Sequence, residues 1–240
     1  MIAAIIQARL GSTRLPGKVL ADIAGRPMLW HIVQRVQMAT LIDRIVVATS
    51  DNRSDDPVAA LCQQEGIYCF RGAELDVLDR MYRAAVAIGA DAVVRITADC
   101  PLIDPTIIDR VVVRYSKGGF DYVSNSIRYT YPDGLDVEVF SFDALAKAWR
   151  EANTLRQREH VTPYIRFNDG FRKFNVENDG DLSAQTYRWT VDEPADLEFV
   201  RQVYRNLYVN GSHAFGLRDV LRLLQEHPEM RSTNDHIVPN

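Results

Sequence analysis

In the first half of the chain, short apolar runs alternate with amphipathic segments. Each apolar run is bounded by polar residues and too short for a helix, which is typical of a buried strand. The predicted strands are residues 1–8, 44–48, 67–70, 91–96 and 121–123. Between them, apolar residues recur at helical spacing, which predicts helices at residues 28–38, 57–65, 77–88 and 106–115. This alternation predicts an α/β fold, a mostly parallel, Rossmann-like sheet with helices on both faces.

The pattern changes after residue 120. Residues 131–140 alternate apolar positions with acids, and Asp136 and Glu138 share the polar side, which predicts a half-exposed strand. Further strands are predicted at 171–176 and 187–191, and further helices at 142–151, 194–207 and 217–226. The polar tail from Pro228 is expected to be loosely ordered.

Composition is that of an ordinary soluble globular protein, with 47% hydrophobic and 25% charged residues among 240. A net charge of −4 disfavours nonspecific binding to nucleic acid. No apolar run approaches the roughly 20 residues that cross a bilayer, and the first residues do not resemble a cleaved signal. The three cysteines lack C-x-x-C spacing, so we expect free thiols and a cytoplasmic location. Without repeats or long linkers, residues 1–240 are interpreted as one domain in which residues 118–180 elaborate the sheet.

A short basic loop between the first predicted strand and the first predicted helix carries the most chemical information. It reads Gln-Ala-Arg-Leu-Gly-Ser-Thr-Arg-Leu-Pro-Gly-Lys, with no acid, and its cations are Arg9, Arg14 and Lys18. Gly11 and Gly17 can adopt backbone angles that other residues avoid, and they let a ligand approach the main chain closely. Such a loop suits a polyphosphate, because backbone N–H groups can cradle the oxygens while the cations neutralise their charge.

The loop is not a standard nucleotide-binding fingerprint. A Walker A loop has four residues between its glycines and a Ser or Thr after its lysine. Here five residues separate Gly11 from Gly17, and Val19 follows Lys18. The dinucleotide pattern G-x-G-x-x-G is also absent. On the residues alone, a polyphosphate site and a solvated basic turn both remain open.

The loop resembles the nucleotide-binding loop of the sugar-acid cytidylyltransferases, the family of the CMP-Kdo and CMP-sialate synthetases. That loop runs A-R-x-x-S-x-R-x-x-x-K and is matched here by Ala8, Arg9, Ser12, Arg14 and Lys18. The likeness is closest to the spore coat polysaccharide biosynthesis cytidylyltransferases and covers most of the chain. Its other segments are Ala98-Asp-Cys-Pro101, Pro132-Asp-Gly-Leu-Asp-Val-Glu-Val139, Arg158-Glu-His-Val-Thr-Pro163 and Thr190-Val-Asp-Glu-Pro194. The resemblance implies a nucleotidyltransferase (GT-A-like) fold.

Two aspartates are candidates for a Mg²⁺ site. Asp99 follows the strand predicted at 91–96, at the edge where open α/β sheets bind ligands, and Asp192 ends the last predicted strand. A turn aspartate and an acid at the start of a helix are equally good interpretations of the residues alone. The resemblance implies metal binding at both positions. Where the family usually has D-x-D-x-P, however, this chain has Thr190 in place of the first carboxylate.

The resemblance also implies which other residues face the substrates. Near the nucleotide it places Arg71, Asp76 and Thr97, together with Ala8, Arg9, Gly11, Ser12, Arg14 and Lys18 of the loop. To the acceptor pocket it assigns Asp133, Asp136, Glu138, Arg158, Glu159, His160 and Thr162.

The residues themselves leave less specific interpretations open. Asp76 equally suits a helix N-cap, and alternating acids on a strand usually face solvent. Residues 158–160 suit an exposed helix start. Asp104 is interpreted as an N-cap, and His31 as a residue that packs rather than reacts.

The resemblance therefore implies a Mg²⁺-dependent cytidylyltransferase of surface polysaccharide or glycan biosynthesis. An acceptor oxygen on a sugar, in the family a sugar acid, attacks the α-phosphorus of CTP, and pyrophosphate leaves. The residues expected to take part directly are Arg9, Arg14, Lys18, Asp99 and Asp192. The expected partners are CTP, a small sugar and a second copy of the chain, docked through residues 121–140 or the helix that follows.

Other functions remain open on the sequence. A nucleotidyltransferase could use a sugar or polyol phosphate with CTP or another NTP. A glycosyltransferase of similar architecture and a nucleotide-binding protein without catalysis are alternatives from different classes. Pyrophosphate release that depends on an added sugar separates them.

Overall fold

A seven-stranded sheet organises the computed structural model, which describes residues 1–183 and 187–237. Its strands are β1 (Ile2–Gln7), β4 (Arg44–Ser50), β5 (Tyr68–Gly72), β6 (Ala92–Thr97), β7 (Tyr122–Ser124), β8 (Glu138–Ser141) and β9 (Lys173–Asn175), and β2 (Asp22–Ile23) and β3 (Arg26–Pro27) form a separate hairpin. The order across the sheet is β5-β4-β1-β6-β8-β7-β9. Strands β5, β4, β1 and β6 run parallel, while β8 is antiparallel to both of its neighbours. The predicted mostly parallel α/β sheet is confirmed.

Helices cover both faces of this sheet, as predicted. They are α1 (Met28–Gln37), α2 (Asp56–Gln64), α3 (Val77–Ile88), α4 (Pro105–Ser116), α5 (Phe142–Glu151), α6 (Leu155–His160), α7 (Pro163–Arg166), α8 (Pro194–Leu207) and α9 (Leu217–Glu226). Successive residues of β1 alternate between two cores. Ala4 and Ile6 pack with α1, α4 and α8, whereas Ala3 and Ile5 pack with α3 and α5. No helix in the described part of the chain is both long and apolar enough to cross a membrane.

Residues 131–140 do not form the half-exposed strand that their alternation predicts. Only the end of this segment belongs to β8, and Glu138 is 5% exposed. Arg95 forms an ion pair with its carboxylate, and the hydroxyls of Tyr122 and Thr162 donate to its Oε1 at 2.5 and 2.7 Å. A buried carboxylate needs such partners, and they lie far away in sequence. The prediction was wrong because alternation alone does not distinguish solvent from a buried ion pair.

The strand predicted at 187–191 is reduced to one isolated bridge, between Asp133 and Arg188. Next to this bridge, Gly134 has a φ of 100° and passes close to the backbone of Trp189 and Thr190. A Cβ at this position would lie 2.5 Å from the backbone nitrogen of Thr190. Only glycine fits there. A close crossing of two irregular segments therefore takes the place of the predicted strand ladder.

The tail is packed rather than loosely ordered. Pro228–Thr233 forms a 3₁₀-helix, and Asn234 beyond it is buried. The Asn234 side-chain amide donates to the Arg188 carbonyl at 2.9 Å and to Asp196 Oδ1 at 3.0 Å. These polar contacts explain why a polar composition misled the prediction. The last part of that prediction, residues 238–240, lies outside the described residues.

Asp104 is an N-cap, as predicted. Its Oδ1 accepts a hydrogen bond from the backbone of Thr106 at 2.8 Å, in the first turn of α4. Its Oδ2 accepts one from the backbone of Leu217 at 2.7 Å, so the same carboxylate also caps α9.

His31 packs, as predicted, and it does so against a second histidine. It is fully buried, and its Nε2 donates to the carbonyl of Ile23 at 2.7 Å. Its Nδ1 therefore accepts a hydrogen bond from Nε2 of His213, 2.8 Å away. Burial lowers the pKa of both imidazoles, that of His213 to about 4, and the charge of Arg35 lowers both further.

We expect the melting temperature to fall as the pH drops from the ordinary histidine pKa of 6.5 toward about 4. His213 is neutral in the fold, so in this range the unfolded chain binds a proton that the folded chain does not. Thermal melts across this range should show the slope in the wild type. His213→Gln, whose amide can still donate to His31, should lose part of it. Equal slopes in the two proteins would contradict the assignment.

Candidate active site

The basic loop follows β1 at the carboxyl ends of the parallel strands, and one buried carboxylate holds it in place. Asp55 is 1% exposed, and its Oδ1 accepts a hydrogen bond from the backbone of Leu10 at 2.7 Å. Gly17 has a φ of 74°, so this position uses the freedom of glycine. Gly11 does not have a positive φ, and an added Cβ there would make only ordinary van der Waals contact. The expected use of unusual backbone angles is therefore confirmed for Gly17 and wrong for Gly11.

The loop lines a cleft of about 410 Å³ at the carboxyl ends of the parallel strands. β1 and β6 pair in parallel, with Gln7 opposite Thr97, so the segments that follow these strands emerge side by side. The residues singled out from the sequence that line this cleft are Ala8, Arg9, Gly11, Ser12, Arg14, Lys18, Thr97, Asp99, Glu159, His160 and Asp192. The structure thus gathers the loop, both candidate metal ligands and part of the 158–163 segment.

Lys18 lies between the two aspartates. Its ammonium donates to Asp192 Oδ1 at 2.8 Å and to the Val191 carbonyl at 2.6 Å, and it is 3.5 Å from Asp99 Oδ2. The backbone of Val191 donates to the carbonyl of Asp99 at 2.7 Å, which ties the two acidic segments together. The lysine side chain is only 10% exposed. Two carboxylates far apart in sequence therefore face one buried cation.

Asp192 is surrounded by cations. Besides Lys18, it pairs with Arg14 at 2.9 Å and with Arg188 at 3.2 Å. Burial would raise the pKa of this carboxyl, but the hydrogen bond and charge of Lys18 and the two guanidinium groups outweigh it, so the pKa lies below its ordinary value. Asp192 is thus anionic at neutral pH.

Asp99 is the more accessible of the pair, with a side chain 30% exposed against 17% for Asp192. The hydroxyl of Thr97, the last residue of β6, donates to Asp99 Oδ1. Its Oδ2 faces Lys18. Thr97 therefore orients the carboxylate so that its other oxygen faces the Lys18 ammonium.

Arg9 reaches across the cleft to α6. Its Nη2 donates to Glu159 Oε1 at 3.3 Å, and both side chains are partly exposed. Glu159 and His160 form the last turn of α6, so the prediction of an exposed helix start at 158–160 was wrong. A Thr154–Gln157 capping box begins this helix, a signal that was present in the sequence.

Arg80 also lines the cleft, which no motif in the sequence indicated. It is 2% exposed, its Nη1 donates to the carbonyls of Ala73 and Glu74, and its Nε is buried without a partner. Burial lowers its pKa to about 10, and the charge of Arg9 adds to this effect. Its place in the amphipathic pattern of α3 gave no sign that it would face the cleft rather than solvent.

Three of the residues expected near the substrates make contacts within the protein. Asp76 caps α3 by accepting from Asp79 at 2.9 Å, and Arg158 Nε donates to the same carboxylate at 3.0 Å, which joins α3 to α6. Arg71 donates to the Ser50 carbonyl at 2.9 Å. None of the three lines the cleft.

The acids expected in the acceptor pocket differ in their surroundings. Glu138 is buried and paired with Arg95, and the hydroxyl of Thr162 donates to it, so neither side chain lines the cleft. Burial raises the pKa of Asp133 to about 6 although Arg188 opposes it. Burial, together with the charges of Asp133 and Glu138, raises the pKa of Asp136 to about 8. At neutral pH the protonated form of Asp136 is therefore favoured, and this carboxyl can donate a hydrogen bond.

Comparison with known proteins identifies the family of this chain. The sequence model of the cytidylyltransferase family matches residues 3–215. The spore coat polysaccharide biosynthesis protein SpsF of Bacillus subtilis is 35% identical over 207 residues, which cover 84% of this chain and 85% of that protein. A 3-deoxy-manno-octulosonate cytidylyltransferase of Trichlorobacter lovleyi is 41% identical over 111 residues, 46% of this chain and 43% of that protein.

A solved structure extends the likeness to the whole fold. A cytidylyltransferase from Leptospira borgpetersenii superposes with a TM-score of 0.90 at 30% sequence identity, and the match covers 99% of both chains. The resemblance inferred from the loop is thereby confirmed. This chain is a nucleotidyltransferase and belongs to the cytidylyltransferase family.

Proposed function

We propose that this protein transfers CMP from CTP to a sugar, a sugar acid in the first instance, in a Mg²⁺-dependent reaction that releases pyrophosphate. One observation carries the proposal. Lys18 of the basic loop lies between Asp99 and Asp192, with Arg9 and Arg14 beside it in the same cleft. Cations for a triphosphate and carboxylates for a metal thus occupy one site, as phosphoryl transfer requires.

Arg9 and Lys18 differ in their contacts, and we propose that they have different roles. Arg9 is partly exposed and weakly paired, so it can exchange Glu159 for a phosphate oxygen. Lys18 is buried and bound to Asp192, so it stays where it is and presents a fixed positive charge. A fixed charge stabilises the developing charge of departing pyrophosphate without reorganisation during the reaction.

The acidic pair fits Mg²⁺. Both ligands would be carboxylates, the donors that this hard cation prefers. Both lie within 3.5 Å of the Lys18 ammonium, so they are close enough together to share an ion beside it. Two carboxylates with substrate oxygens and water suffice for Mg²⁺, which rarely uses a site built wholly from protein. Bound by Asp99 and Asp192, the ion would neutralise phosphate charge and make the acceptor oxygen more acidic.

If Asp99 and Asp192 form one metal site, each Asp→Asn variant should need far more Mg²⁺ for pyrophosphate release. The double variant should be little worse than the poorer single, because residues that act as a unit are not additive. Mg²⁺ titrations of the wild type and the three variants measure this. Asp169→Asn, a change at a fully exposed carboxylate, is the matched control and should titrate like the wild type. An Asp192→Asn curve that matches the wild type would remove Asp192 from the metal site.

The function is tested by a substrate screen. Purified protein is incubated with CTP, UTP, GTP or ATP and with sugar acids or sugar phosphates, and pyrophosphate is measured. We expect release with CTP that depends on an added sugar acid. Release with a sugar phosphate or another NTP alone would overturn the donor or acceptor assignment. Transfer from a nucleotide sugar without pyrophosphate would indicate a glycosyltransferase.

We also propose a homodimer that forms through residues 121–140 or α5. Most of that segment is buried within the chain, but Tyr129 is 48% exposed, so the contact would use Tyr129 and the outer face of α5. Most oligomers of this kind are twofold symmetric dimers. Light scattering at micromolar concentration should give twice the mass of the chain, and a monomer would contradict the proposal.

A further inference from the structure

Val161, between α6 and α7, has a backbone conformation that β-branched residues rarely adopt. Its φ is 69° and its ψ is −60°. The backbone N–H of Thr162 donates to the His160 carbonyl at 2.8 Å, which closes a three-residue γ-turn of the strained kind. Such conformations persist only where the surrounding structure holds them, and they concentrate at functional sites.

Two contacts hold this turn. The Val161 side chain is fully buried in the core between the sheet and α5. On its other side, the Thr162 hydroxyl donates to Glu138 Oε1 at 2.7 Å. Glu138 is fixed in turn by its buried ion pair with Arg95 of β6. The turn is therefore anchored to the rigid centre of the sheet.

The residues just before the turn face the cleft. Glu159 and His160 both line it, and Glu159 accepts the hydrogen bond from Arg9. Arg9 and Glu159 are 150 positions apart in sequence, so nothing local brings them together. In this arrangement Glu159 occupies the guanidinium that a triphosphate would bind.

We infer that Val161 is a positioning residue, whose strained turn holds Glu159 against Arg9 until CTP takes its place. Arg9 then passes from a carboxylate to a phosphate, and the released Glu159 faces the acceptor side of the cleft. The acceptor site is thus completed only when the nucleotide is bound. This inference rests on the proposed binding of CTP by the basic loop.

The test compares Val161→Ala with Val161→Gly, by calorimetric titration with CTP in the presence of Mg²⁺. Both variants lose the buried isopropyl group, but only glycine adopts a positive φ without strain. In Val161→Ala the turn relaxes, Glu159 moves away from Arg9, and CTP should bind about two- to fivefold tighter, the range set by a partly exposed ion pair. Val161→Gly retains the turn and should bind CTP with nearly wild-type affinity.

Glu159→Gln removes the competing charge directly and should tighten CTP binding by the same factor. Adding Val161→Ala to Glu159→Gln should then change nothing further. If Val161→Ala does not fold, Thr162→Val and Thr162→Ser replace the pair, because only serine keeps the hydroxyl that binds Glu138. We then expect tighter CTP binding for the valine variant alone.

The outcomes separate cleanly. A merely structural role predicts equal or weaker CTP binding in Val161→Ala, with Val161→Gly at least as impaired, because glycine adds backbone freedom. Either result overturns the inference while the proposed function stands. If the wild type itself binds no CTP, the proposed function fails, and this inference fails with it.

Discussion

Replacing Lys18 with alanine should lower kcat for pyrophosphate release by about 10²–10³-fold, the usual cost of removing one preorganised electrostatic contact from an active site. The substitution removes the cation that lies between Asp99 and Asp192 and leaves two carboxylates facing each other. It also removes the fixed charge proposed to stabilise departing pyrophosphate. Steady-state kinetics with CTP and the sugar acid found in the screen give the measurement.

Lys117→Ala is the matched control for this experiment. Lys117 is the C-cap of α4, is exposed and does not line the cleft, so this variant should have wild-type kinetics. Near-UV circular dichroism checks that Lys18→Ala retains its tertiary structure. A folded Lys18→Ala protein with near wild-type turnover would contradict the proposed role of the basic loop.

Replacing Arg188 with methionine should lower the free energy of unfolding by about 3–5 kcal/mol, because it leaves a buried charge unpaired. Arg188 Nε donates to Asp196 Oδ1 at 2.9 Å, and its side chain is 4% exposed. Asp196 is fully buried. Urea unfolding at neutral pH measures the loss.

Two further variants make this result specific. Arg188→Met combined with Asp196→Asn leaves no unpaired buried charge at position 196, so it should recover part of the loss. Arg205→Met removes an exposed arginine that pairs with Glu198 on the same helix, and its cost should stay below about 1 kcal/mol. Equal costs for Arg188→Met and Arg205→Met would mean that burial of the pair contributes nothing.

Lys18 and Asp99 could be placed in one cleft from the sequence because each follows a strand. Lys18 comes after the first apolar run, Asp99 after the run that becomes β6, and Asp192 after the last. The carboxyl ends of parallel strands lie at the same edge of a sheet. Correct prediction of β1 and β6 as parallel strands is therefore enough to bring Lys18 and Asp99 together. Asp192 was also expected to end a strand, but the structure reduces that strand to one bridge, so only the resemblance still supports the prediction for Asp192.

What supports the cleft could not be predicted in this way. Glu138 is buried because Arg95 lies on the neighbouring strand, and Asp196 is buried because Arg188 reaches it. Such pairs depend on which elements become neighbours in three dimensions. The periodicity of a single sequence does not predict which elements pack together. The turn at Val161 is similar, since a valine in sequence predicts ordinary extended backbone.

No residue other than glycine is sterically tolerated at position 134. Every codon change away from glycine adds at least a β-carbon, which would lie 2.5 Å from the Thr190 nitrogen and 2.6 Å from the carbonyl carbon of Trp189. Thr190 lies two residues before Asp192, so any shift of its backbone would also move the proposed metal ligand. The missing side chain of Gly134 therefore couples the packing of two irregular segments to the position of Asp192 in the cleft.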